Sequence, residues 1–104
     1  MDKRQIIRNY IWDNYQCRPG YYAWRKSMFM EYSYIHCACE DILYDLSLRM
    51  CDDPIIVIRD YISESKMCLK IAKQHYHGDP TSELMFETAI RIGEECLQIL
   101  EDIK

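Results

Sequence analysis

The stretch 34-YIHCACED-41 places one histidine, two cysteines and two carboxylates within eight positions. That density belongs either to a metal site or to a helix whose separate faces carry these residues. Periodicity decides. Met28, Tyr32, Ile35, Cys39, Ile42 and Leu46 recur at alternating steps of four and three, which lines apolar side chains along one face of a helix. Residues two apart on a helix point about 200° away from each other, so Cys37 and Cys39 cannot grip one ion. Cys39 joins the core stripe, and Cys37 falls with Ser33, Tyr34, Asp41 and Tyr44 on the other side.

Working outward, RPG at 18–20, DDP at 52–54 and HGDP at 77–80 divide the chain into four segments. Asp53 and Asp79 can cap helix starts, with Pro54 and Pro80 in a first turn that needs no amide donor. Gly78 can close the preceding helix. The third segment repeats Ile55, Ile58, Ile62, Leu69, Ala72 and Tyr76, with Ser65 interrupting the stripe. The fourth repeats Met85, Ala89, Ile92, Cys96, Ile99 and Ile103, flanked by Phe86, Ile90, Gly93, Leu97 and Leu100. The first is shorter, with Ile6, Ile7, Tyr10, Ile11 and Tyr15 on one side.

The pattern predicts an all-α protein, a compact antiparallel bundle of about four helices near 2–16, 21–50, 54–77 and 80–103. Residues 1–104 form one expected domain: a short N-terminal helix and turn over 1–20, then three longer helices over 21–104. A second helix of 30 residues would span about 45 Å, against about 36 Å for the third and fourth. A break, the first helix or a partner chain must cover the excess, so self-association is one expectation.

Hydrophobic residues make up 49% of the chain, with only three glycines and three prolines, which excludes a disordered or turn-rich protein. The longest uncharged apolar string, IIVI at 55–58, is far short of the ~20 residues of a membrane span. The charged start, MDKRQIIRNYIW, has no secretory apolar core. The expectation is a cytoplasmic protein with no membrane partner, its six cysteines present as free thiols.

His36 shares a helix face with Cys39 and Glu40, and Glu64, Cys68, Ile71 and His75 form a stripe on the third helix. A bound metal would therefore draw on His36, Cys39, Glu40, Cys68 and His75. Against it, the Glu-x-x-His pairs of di-metal bundles are missing, Ser33 and Ala72 standing where glutamates would be, and no paired CxxC occurs. The plainer reading has no metal and no cofactor: His36 at the core margin with its polar edge in water, Cys39, Cys68 and Cys96 as small hydrophobes, and His75 and His77 at a helix end. A phosphate loop and a nucleophile elbow are absent as well, which favours a non-catalytic protein.

Charge is more informative. Residues 1–27 carry six basic and two acidic side chains, net plus four, while residues 28–104 carry seven basic and fifteen acidic, net minus eight. Within the basic part lie Tyr10, Trp12, Tyr15, Tyr21, Tyr22 and Trp24. Such a segment can close one end of a bundle with its Lys and Arg heads in solvent, anchor a protein partner, or stack on nucleic acid. Trp12, Tyr22, Trp24 and Arg25 are the expected contact residues. Glu83, Glu87, Glu94, Glu95, Glu101 and Asp102 on the last helix either keep the bundle soluble or form an acidic face that occupies a basic groove. These features point first to an intracellular protein–protein interaction module, a regulator or inhibitor. Nucleic-acid binding through the basic segment and a metal-binding bundle are the alternatives.

Overall fold

A computed structural model describes residues 2–16, 30–75 and 80–103, with side chains described over 2–16, 34–75 and 81–103. Among these residues the chain forms four α-helices and no strand: α1 Lys3–Tyr15, α2 Met30–Leu48, α3 Pro54–His75 and α4 Pro80–Glu101. The predicted helical bundle is the observed architecture. Its radius of gyration is 13.8 Å, against about 13 Å from the scaling for compact chains of this length.

Local chemistry sets the ends. Asp2 caps α1, its carboxylate accepting from the Arg4 amide at 3.1 Å, and the chain leaves α1 through Gln16 in the left-handed region at φ 53°. Asp53 caps α3 as expected, Oδ1 accepting from the Ile55 amide at 2.8 Å, with Pro54 as the first helical residue. The expected start of the second helix over 21–29 and the Gly78–Asp79 junction lie outside the described residues.

Helix α4 is the centre of the bundle. It packs most extensively on α3 and next on α2, while α1 lies across α2 and α4. Every helix delivers its apolar stripe to one core: Ile7 and Ile11 from α1, Cys39, Ile42 and Leu46 from α2, Ile58 and Ile62 from α3, Ile92 and Cys96 from α4. The stripes differ from expectation at two places. Ser65 does not interrupt the third stripe; it is buried within it and hydrogen-bonded to Tyr61. Ile103 lies past the end of α4 and is exposed.

At Gly93, α4 packs closely against Tyr61 and Ile62 of α3. A Cβ placed there would stand 2.7 Å from Ile62 Cγ1, inside van der Waals contact. Replacing it with alanine gains about 1 kcal/mol of helix propensity and introduces overpacking that costs roughly 1–3 kcal/mol. Gly93→Ala is expected to lower unfolding free energy by about 1 kcal/mol, read from the urea midpoint; a rise would show that α3 shifts freely.

Candidate functional site

Two side chains hold α1 and α2 by the same device used in opposite directions. Arg4, in the first turn of α1, is buried and donates from Nε to the Leu46 carbonyl at 3.2 Å and from Nη2 to the Arg49 and Asp52 carbonyls, both at 2.7 Å. These carbonyls belong to the last turn of α2 and the connection after it, where a helix has acceptors without intrahelical donors. In return His36 of α2, 1% exposed, donates from Nε2 to the Tyr15 carbonyl at 3.0 Å, in the last turn of α1. Two expectations are corrected. Arg4 is no part of a solvated basic surface, and His36 has no edge in water, because each cation-capable side chain satisfies the carbonyl end of the neighbouring helix.

A second clamp ties α1 to α4. The phenols of Tyr10 and Tyr15 both donate to Glu95 Oε2, Tyr10 at 2.9 Å, and their rings meet edge to face with centroids 6.3 Å apart. Burial first, and then the hydrogen bond to the Glu95 carboxylate, push the Tyr10 hydroxyl up to about 12 and the Tyr15 hydroxyl higher still. Each phenol is thus held protonated with its proton committed to the fold. Burial, with Glu95 next in sequence, also pushes the Cys96 thiol up to about 12, away from the reactive thiolate.

The sequence-predicted residues scatter. Trp12 is half-buried on α1; Tyr22, Trp24 and Arg25 lie outside the described residues. Of the candidate metal ligands, Cys39 is core, His36 is bonded to α1, Cys68 is half-buried on α3 and His75 is exposed at its end. Glu40 has one carboxylate oxygen buried without a hydrogen bond. Among the described residues no group of three or more potential ligands comes together, and none of the five described cysteines is in a disulfide. Among the described residues no helix is long and apolar enough to cross a membrane.

What periodicity assigned to the outer sides of α2 and α3 is instead a groove. Tyr34, Cys37 and Asp41 of α2 face Glu64 and Cys68 of α3 across a cavity of about 280 Å³, with Met85, Phe86 and Ala89 of α4 completing its lining. A second depression of about 280 Å³ shares Cys68, Met85 and Phe86 and extends the trough to Ile71, Ala72 and Ser82. No lining residue comes from α1. Of the sequence-read stripe Glu64, Cys68, Ile71 and His75, the first three therefore form the α3 wall.

The α2 wall is acidic. Burial raises the Asp41 carboxyl above its usual range, with Asp45 and Glu40 adding like-charge repulsion. Burial also raises Asp45, Glu64 on the opposite wall adding to it and Arg49 partly offsetting it. Among the described residues, Asp41, Asp45 and Glu64 form no ion pair, whereas Asp52 and Asp60 share Arg49 at 2.7 Å each and Glu101 takes Arg59 at 3.0 Å. Comparisons with protein families, curated proteins and solved structures found no match to this chain.

Two outcomes test this geometry. Arg4→Met keeps the stem but strips three carbonyls of a charged donor, and is expected to cost about 3 kcal/mol of unfolding free energy by urea denaturation; a loss below about 0.5 kcal/mol would mean water replaces the guanidinium. The second concerns alkali. The folded-state value of Tyr10 lies above the unfolded value near 10, so the unfolded chain releases its proton first. Stability from this clamp is complete below pH 10 and is lost as pH climbs through about 12. Absorbance at 295 nm should show fewer tyrosinates at pH 11 in folded than in urea-unfolded protein, and Tyr15→Phe should shrink that difference.

Proposed function

We propose that this protein is a non-catalytic interaction module that regulates or inhibits another protein by covering part of its surface. The observation behind this reading is the open groove. The bundle keeps an apolar trough between α2 and α3, with like-charge repulsion between Asp41 and Asp45 and between Asp45 and Glu64, an arrangement that does not stabilise the chain itself. Exposed apolar surface bounded by charge is the usual signature of a partner site.

The basic, aromatic N-terminal part supplies a second contact region. Trp12 projects from a helix pinned to α2 by Arg4 and His36 and to α4 by Glu95, so an anchor there loses little freedom on binding. Tyr22, Trp24 and Arg25 follow in the chain and carry the aromatic and guanidinium groups that dominate interface energies.

Affinity capture from the native host's lysate, with wild type beside Trp12→Ala and Trp24→Ala, tests the reading. At least one protein should be retained by wild type and lost, by tenfold or more, from one variant. Retention of nucleic acid alone, with affinity falling steeply between 50 and 200 mM salt, would replace the reading with nucleic-acid binding.

A further inference from the structure

The trough between α2 and α3 has the shape and charge of a receptor for one kind of segment. The two compartments, about 280 Å³ each, run together through Cys68, Met85 and Phe86 as one elongated, open trough. A row of side chains fits such a trough better than one enclosed ligand does. Its apolar end holds Ile71, Ala72, Met85 and Phe86, with Ile71 44% exposed; methionine adapts its shape to whatever packs on it. At the other end Asp41 and Glu64 line opposite walls, and Asp45 lies close enough to Glu64 to feel its charge. Arg49, the nearby cation, is engaged by Asp52 and Asp60.

We infer that this groove docks a cationic amphipathic helix of a partner protein, its apolar face on Ile71, Met85 and Phe86 and its lysines or arginines against Asp41, Asp45 and Glu64. The inference rests on the interaction reading above and names the partner's chemistry. Three carboxylates that form no ion pair among the described residues disfavour an acidic or purely apolar occupant, and the apolar end disfavours a free cation. A helix supplies both, with apolar anchors at steps of three and four and charge on its flank.

The probe is a fluorescein-labelled 18-residue Leu/Lys amphipathic peptide titrated into the full chain by anisotropy, beside a Leu/Glu counterpart and a scrambled Leu/Lys peptide of equal charge. The amphipathic cationic peptide should bind, and the other two at least tenfold more weakly. Asp41→Asn with Glu64→Gln, which relieves repulsion and so leaves the fold intact, should weaken binding about tenfold, and Ile71→Ser several-fold. Bound peptide should slow maleimide labelling of Cys68 and leave the exposed Cys51 unchanged. Failure of the peptide to bind, equal binding by the variants, equal binding of the scrambled peptide or unprotected Cys68 would each overturn the proposal. So would concentration-dependent dimerisation abolished by Ile71→Ser, which would assign the groove to a second copy. A lysate protein retained equally by wild type and the groove variants but lost from Trp12→Ala would overturn the groove while leaving the interaction reading standing.

Discussion

Arg4 and His36 exchange positions as caps, each completing the carbonyl end of the other's helix, and the placement of α1 depends on that exchange. A thirteen-residue helix is marginal in water by itself, and the apolar anchors of α1 in the core are few, Ile7 and Ile11 being its buried hydrophobic residues. Hydrophobic burial of that size would leave its orientation loosely set. Directional bonds at both ends fix it antiparallel to α2. An arginine in the first turn of a helix opposes that helix's own dipole; here the favourable partner is the negative end of α2, so the residue's position makes sense only for the pair.

The tyrosine clamp on Glu95 follows from that placement. With α1 set along α2, Tyr10 and Tyr15 reach α4 and bring two phenols to one carboxylate. The lowered polarity that raises both hydroxyls also strengthens the hydrogen bonds they donate. A carboxylate that belongs by sequence to the acidic surface of the last helix is thereby turned inward as an acceptor. It leaves the set of residues available to an external acidic face.

The groove has a packing origin. Because α4 contacts both α2 and α3 more extensively than these contact each other, their outer stripes separate and a trough remains between them. Side chains along it are graded, Asp41, Glu64 and Ile71 exposed and Cys37, Cys68, Met85 and Phe86 half-buried. The separation of the two stripes explains why Asp41 and Asp45 feel partial burial, Arg49 offsetting it at Asp45, and why Cys68 is half-buried although its helix face looks polar.

The sequence by itself determined the all-α class, the turn at Asp53–Pro54 and the core faces of the helices, because these depend on spacing and on capping chemistry that act within a few residues. It also separated Cys37 from Cys39, a matter of helical angle alone. It could not show that Arg4 and His36 would be caps, since each bonds carbonyls 42 to 48 and 21 positions away, and backbone acceptors carry no sequence signal. Nor could it tell whether Cys68, in the stripe with Glu64, Ile71 and His75, is a metal ligand or groove wall: a thiol on one face of a helix becomes ligand, core or wall according to what stands opposite. Here Tyr34, Cys37 and Asp41 stand opposite, and only the splay of α2 and α3 around α4 placed them there.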